Sequence, residues 1–139
     1  MVVGAGASRD YLSSGTRPAL QYSLYDSYTA SPTVTPHAFV ATPGYATAYH
    51  PLVTGQLTAT KTRILGSDTW QTITLYYDDR GRVIQTVSDN RLGGVSRSDM
   101  QYDFVGNLLH HRESHGKTGG SADVLESVNT YDAQGRLLT

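Results

Sequence analysis

The clearest signal along the chain is apolar and polar positions alternating with a period of two, which places successive side chains on opposite faces of a β-strand. It is strongest from Gly55 onward. "QLTATKTRIL" and "WQTITLYY" are rich in Thr, Ile, Tyr and Trp and are separated by the turn signal "GSD", so they predict a hairpin. Further strands are predicted at "RVIQTVS", "RSDMQY", "NLLHHRES" and "VLESVNTY", with turns at "DNRLGG" and a loop at "HGKTGGSAD". Upstream, "ALQYSLY" puts Leu20, Tyr22 and Leu24 on one face and predicts one more strand. Residues 26–51 hold four of the five prolines and read as irregular, with one short strand around "HAFVA". Residues 1–18 are small and polar and read as a flexible lead-in. No window sustains a 3.6-residue apolar period, so helix is expected to be scarce. The resulting division is a lead-in at 1–18, an irregular proline-containing β/loop segment at 19–54, and a hairpin region at 55–139.

Within the hairpin region one motif recurs. "YYDDRGRVIQT", "QYDFVGNLLHH" and "TYDAQGRLLT" each contain Tyr-Asp, two variable residues, Gly, a polar residue and an aliphatic one. The copies begin at Tyr77, Tyr102 and Tyr131, a nearly even spacing. A period of that length marks an array of supersecondary units, here strand, tight turn, strand. Asp78, Asp103 and Asp132 open the turns, because an aspartate side chain accepts backbone N–H bonds there. Gly81, Gly106 and Gly135 supply the positive φ of a type I turn followed by a bulge. Arg82, Asn107 and Arg136 follow the glycines, near enough to the tyrosines for cross-strand packing. Val83, Leu108 and Leu137 return the chain to the packed face. Asp79 and Arg80 fall at variable positions, where charge is expected to face solvent.

This motif resembles the Tyr-Asp (YD) repeats of the Rhs family, which includes bacterial polymorphic toxins and teneurin-like surface proteins. "GQLTATKTRILGSDTW" and "VIQTVSDNRLGG" further resemble long Rhs-repeat proteins of Bacteroidetes-type bacteria. The resemblance spans Leu52–Thr139, and Asn107 stands where the other copies have Arg. It implies an all-β fold of stacked hairpins, an open piece of a spiralling sheet ribbon that forms an Rhs-type shell. It also implies a parent protein at the cell surface or secreted, whose shell encloses or displays a C-terminal toxin or effector. Neighbouring repeats and an enclosed effector are then the expected partners. The chain stops at "RLLT", where a return strand has only begun, and so reads as a fragment with an unpaired sheet edge. Marginal stability or self-association is expected of it.

Composition narrows the function further. Of 139 residues, 38% are hydrophobic, and there are ten tyrosines against two phenylalanines, which fits β-structure with wet faces. A net charge of −1 with mixed signs gives no basic patch for nucleic acid. There is no cysteine, which excludes disulfides, thiolate metal sites and cysteine nucleophiles. No apolar run is long enough to span a membrane as a helix, and "MVVGAGASRDYL" lacks the features of a signal peptide.

Candidate chemistry is sparse. In "HHRESH", His111, Glu113 and His115 share one strand face, but their outer members stand roughly 13 Å apart on a straight strand, too far for one metal ion. "GAGAS" has neither the preceding strand nor the following helix of a phosphate loop. Ser, His and Asp residues are present without a nucleophile motif. No catalytic residue, metal or cofactor is therefore assigned. The main alternative function is carbohydrate binding, with Trp70 and Tyr76 as an exposed platform for sugar rings beside the repeat tyrosines, but the preferred reading packs these aromatics against neighbouring repeats. The structural reading expects an apolar or aromatic packed face without a convergent polar pocket.

Overall fold

A computed structural model describes residues 20–64, 66–90, 93–117 and 119–138. These residues contain seven β-strands and no helix: β1 (Gln21–Asp26), β2 (Val53–Arg63), β3 (Trp70–Tyr77), β4 (Val83–Asp89), β5 (Val95–Tyr102), β6 (Leu108–His115) and β7 (Asp123–Val128). They form one antiparallel sheet in the order β1 to β7, each strand beside its sequence neighbour. The sheet is open, with β1 and β7 at its edges. The lead-in at residues 1–18, including "GAGAS", lies outside the described residues.

The main departure from the sequence expectation is the segment between β1 and β2. It contains no strand at "HAFVA". It runs instead as a strap across one face of the sheet, from β1 to β7 and back. Val34 packs on Leu24 of β1 and Ala59 of β2. Next, the His37 N–H donates to Thr74 Oγ1 of β3 at 2.9 Å. Val40 meets β4, where the Gln85 side chain holds both of its backbone groups: the N–H donates to Oε1 at 3.0 Å, and Nε2 donates to the carbonyl at 2.7 Å. Thr42 Oγ1 donates to Asp99 Oδ2 of β5 at 2.9 Å, and the Tyr45 hydroxyl donates to Glu126 Oε1 of β7 at 3.1 Å. "TPGY" then reverses the chain, with Pro43 and Gly44 (φ 84°) at the centre and the Tyr45 N–H returning to the Thr42 carbonyl at 3.0 Å. The strap comes back to β3, where the His50 N–H donates to the Tyr77 carbonyl at 2.8 Å. Proline and side-chain-satisfied backbone explain the missing strand. The peptide groups of His37 and Val40 bond side chains of the sheet, so no ladder is needed.

Beneath the strap lies the core. Tyr76 is 3% exposed and is surrounded by three strap rings: Tyr28 stacks on it at 4.6 Å, Tyr49 tilts against it at 4.7 Å and Phe39 meets it edge-on at 5.2 Å. Its hydroxyl donates to the His37 carbonyl. Burial pushes that hydroxyl's pKa up to about 12. Ile84 and Val87 complete this cluster.

The sequence predicts an apolar or aromatic packed face, and the structure corrects this. One cross-strand row reads Tyr76, Gln85, Asp99, Arg112, Glu126 from β3 to β7. It begins aromatic and becomes charged. Asp99 is 2% exposed, and Gln85, Thr42 and Arg97 supply its hydrogen bonds. Alternation along β5 and β6 cannot distinguish such residues from solvent-facing ones, because their polarity resembles that of the open face. The covering strap is what buries them.

Candidate functional site

The repeated turns are built from the same set of contacts. In each, Asp Oδ1 accepts two backbone N–H groups: from Arg80 and Arg82 on Asp78, from Val105 and Asn107 on Asp103, and from Gln134 and Arg136 on Asp132. The second carboxylate oxygen accepts from the side chain after the glycine: Arg82 Nε at 2.7 Å, Asn107 Nδ2 at 2.9 Å and Arg136 Nε at 2.6 Å. Asparagine thus replaces arginine at this contact because both present a donor to the carboxylate. Gly81, Gly106 and Gly135 have φ of 76°, 100° and 80°. A bulge just before the tyrosine sets Tyr77 opposite Val83 and Tyr102 opposite Leu108, and Tyr131 pairs with Leu137 in an isolated bridge.

The tyrosine hydroxyls, with Arg80 and Arg82, also connect one turn to the next, and Arg82 packs on the tyrosine of the next hairpin, Tyr102. The Tyr102 hydroxyl donates to the Val83 carbonyl at 2.8 Å, and the Tyr131 hydroxyl donates to the Leu108 carbonyl at 2.8 Å. Val83 and Leu108 are equivalent positions, the second residue after the glycine of the preceding turn. In the other direction, Arg82 Nη1 donates to the Asp103 carbonyl at 2.8 Å, and its guanidinium lies 4.9 Å from the Tyr102 ring centre. Arg80 is not free decoration either, because its guanidinium donates to the Phe104 carbonyl of the next turn. Phe104 itself is 79% exposed, and Leu137 is 61% exposed, so the third copy's aliphatic residue does not reach a packed face.

The same geometry exposes a fourth copy. The Tyr77 hydroxyl donates to the Leu57 carbonyl at 2.6 Å, which places Leu57 where Val83 and Leu108 stand. Leu57 follows Gly55 and Gln56, with the Gly55 φ at 80°, and is paired with Tyr25. Asp26 follows Tyr25, and its Oδ1 accepts the Gly55 N–H at 2.5 Å. Tyr25-Asp26 and Gly55-Gln56-Leu57 thus repeat the residue order and the tyrosine link of the motif, split by the strap, although Asp26 has a φ of 68° and its carboxylate accepts from the glycine itself rather than from the residues flanking it. The whole strap stands between Asp26 and Gly55, where only Asp79 and Arg80 stand between Asp78 and Gly81. With the strap removed, Tyr25 would precede Tyr77 by nearly the interval at which Tyr77 precedes Tyr102. Fixed spacing conceals this copy; a search for Tyr-Asp alone marks its first half.

If the tyrosine hydroxyls hold neighbouring hairpins together, Tyr102→Phe should lose about 1 kcal/mol of unfolding free energy. Tyr25 has no earlier strand among the described residues to bond, so Tyr25→Phe should stay within about 0.5 kcal/mol of the parent. Urea unfolding of both variants measures the difference.

Burial pushes the Asp78 carboxyl up, but the Arg82 N–H and guanidinium together with the Arg80 N–H more than offset it and hold its pKa below the ordinary range. For Asp103, too, desolvation raises the pKa, and the Asn107 side chain with the N–H groups of Asn107, Val105 and Gly106 lowers it further than that. For Asp132, the Arg136 N–H leads, and the net shift is again downward. A lowered folded pKa means that the unfolded chain binds protons first on acidification. The stabilisation is therefore complete above the ordinary carboxylate pKa of about 4 and disappears as pH falls through the lowered values. Thermal melts should be flat down to about pH 5 and then decline, with a shallower decline in Asp78→Asn.

The proposed sugar platform is altered. Tyr76 is not exposed: three strap rings cover it, and its hydroxyl is bonded to the strap backbone. Trp70 is half-buried, with Tyr22 at 5.7 Å and the Lys61 ammonium at 5.4 Å from its ring centre.

His111, Glu113 and His115 do lie together on the open face. The Glu113 carboxylate stands 3.6 Å from His111 Nε2 and 3.8 Å from His115 Nε2. Ser98 Oγ is 2.6 Å from His111 Nε2, and Ser96 Oγ is 2.9 Å from His115 Nδ1. Serine and glutamate meet the same nitrogen of His111, so that ring cannot relay a proton between them. In the His115 pair opposite nitrogens are used, but 3.8 Å exceeds a hydrogen bond and the side chain is half exposed, leaving the ring unfixed. Among the described residues, no group of three or more His, Asp or Glu has the arrangement of a metal site. No helix among these residues is long and apolar enough to cross a membrane. Comparison with known proteins found no matching family model, no matching curated protein and no matching solved structure.

Proposed function

We propose that this chain is a non-catalytic structural module, a run of YD-type hairpins from an Rhs-like shell that encloses or displays an effector. The observation that carries the reading is the recurrent link between hairpins. Three tyrosine hydroxyls, on Tyr77, Tyr102 and Tyr131, reach the same position of the preceding turn. A contact that each hairpin makes to its predecessor specifies the placement of another hairpin, and so favours an array. β7 is consistent with this role. All six of its residues are exposed, including Val124, Leu125 and Val128, and its outer edge offers unpaired backbone groups.

On this reading, the gene extends the array beyond this chain, and the parent protein is secreted or at the cell surface of a bacterium. The test is the protein encoded by the complete gene, imaged by electron microscopy and treated with protease. A hollow particle with a protected C-terminal portion is expected. A gene without further repeats, or a C-terminal portion cleaved at the rate of a free peptide, contradicts the shell. Carbohydrate binding is the weaker reading, since Tyr76 is covered and Trp70 alone remains of the platform. A purified chain that hydrolysed a glycan or peptide, with the activity abolished by one substitution, would overturn the non-catalytic assignment.

A further inference from the structure

Between the outgoing limb of the strap and strands β4 to β7 the packed face opens into a cavity of about 260 Å³. Arg97, Arg112 and Ser114 supply its polar lining, and Val40, Val87 and Val124 are among its apolar walls. The two guanidiniums are not in equal circumstances. Arg97 Nε donates to Asp99 Oδ2 at 3.2 Å. Arg112 Nη1 lies 3.8 Å from the same oxygen, beyond hydrogen-bond reach, and that nitrogen is buried without an acceptor among the described residues. Asp99 cannot readily serve it better, because its oxygens already accept from Gln85, Thr42 and Arg97. Glu126 faces Arg112 across the strands, but its carboxylate is turned to the Tyr45 hydroxyl, whose bond it accepts. An arginine does not shed its proton, and the Arg112 side chain, 22% exposed and lining the cavity, holds Asp99 only at 3.8 Å, so it keeps donors for a further anionic acceptor.

The chemistry of the cavity selects the anion. A planar guanidinium matches a carboxylate in a two-point fork, and the nearby serine hydroxyl can donate to the same group. Valine walls favour a hydrocarbon body over a hydrated inorganic ion. The volume is below the range of ordinary drug-sized sites, which restricts that body to a few carbons. We propose that this cavity binds a small branched aliphatic carboxylate, with Arg112 anchoring the acid and the valines holding the hydrocarbon. This site uses the covered face within a single chain and none of the links between hairpins, and it is a convergent polar pocket of the kind that the structural reading does not expect.

The experiment is an NMR titration of the whole ¹⁵N-labelled chain with isovalerate, and with isovaleramide as its uncharged counterpart of the same shape. Isovalerate is expected to shift the Arg112 side-chain Nε–H signal saturably at millimolar concentration, with the amide at least tenfold weaker. Two variants locate the site. Arg112→Met should weaken isovalerate at least tenfold. Val124→Glu, on the exposed strand β7, should place a carboxylate into the cavity and abolish binding while the sheet remains folded, as its amide spectrum will show. Equal binding of acid and amide, no saturable shift, or unchanged isovalerate binding in folded Val124→Glu each overturns the proposal.

Discussion

Tyr76→Ala is expected to destabilise the chain by about 3–5 kcal/mol, the range for truncating a buried large aromatic side chain. The magnitude follows from its position. The ring sits at the centre of Tyr28, Phe39 and Tyr49, and its hydroxyl holds the His37 carbonyl. Alanine removes the sheet's side of that contact and leaves the three strap rings with one another and a void where the Tyr76 ring stood. Marginal domains have little more stability than this to lose. The variant should therefore lose its cooperative melt, and the strap should become the first segment cut by protease. Tyr76→Phe separates the two contributions: it keeps the ring contacts and should lose only about 1 kcal/mol, the share of the hydroxyl. Differential scanning calorimetry with limited proteolysis measures both.

Asp99→Ala is expected to cost a similar amount, about 3–5 kcal/mol, for a different reason. The carboxylate is the buried junction of Gln85, Thr42 and Arg97. Removing it leaves Arg97 without its carboxylate partner and deprives Gln85 and Thr42 of an acceptor, so the loss exceeds that of one hydrogen bond. Asp99→Asn preserves the shape and some of the bonds but not the charge, and it should fall between Ala and the parent. Guanidinium unfolding of the three proteins gives the order. Near-parity of Asp99→Ala with the parent would mean that the charged row is solvated and that the strap does not seal it.

The strands and turns were legible because their signals are local. Alternating threonines mark β2, Thr-Ile-Thr-Leu-Tyr marks β3, and Asp78 with Gly81 satisfies a turn whatever lies above it. The strap was not legible, because its path is set by contacts to residues far along the chain, such as Val40 with Gln85 and Thr42 with Asp99. Proline density marks it correctly as irregular, but it gives no direction. What buries Tyr76 and Asp99 was hidden for the same reason: the sequence favours packing of the aromatics against neighbouring hairpins, but it shows no strap above either residue. The first copy was concealed by spacing alone, since Tyr25, Asp26 and Gly55 have the required residue types but are separated by the strap. Its recognition also changes the organisation. The irregular segment at 19–54 is not a separate unit before the repeats, because β1 belongs to the same sheet and the strap emerges from a repeat's own turn.

The arrangement links the chemistry of the turn to the growth of a sheet. Each Asp-Gly turn fixes its backbone by accepting N–H groups that would otherwise be unsatisfied. The following arginine or asparagine completes the carboxylate, and Arg82 extends the contact to the next turn. Tyr77, Tyr102 and Tyr131 then each reach back to the carbonyl of the turn before. The motif is thus both a hairpin device and a connector, and stability should increase with every added copy.

The measurement that tests this most directly is the stability of a lengthened array. Residues 110–138 can be repeated after Leu138, because Leu137-Leu138 stands in the repeat where Leu108-Leu109 stands. One cooperative melt is expected at a midpoint higher by several degrees, about 2–8 °C, with increased hydrogen-exchange protection across β7. An unchanged midpoint, with β7 exchanging as before and the added residues unprotected, would contradict the claim that these hairpins are built to stack.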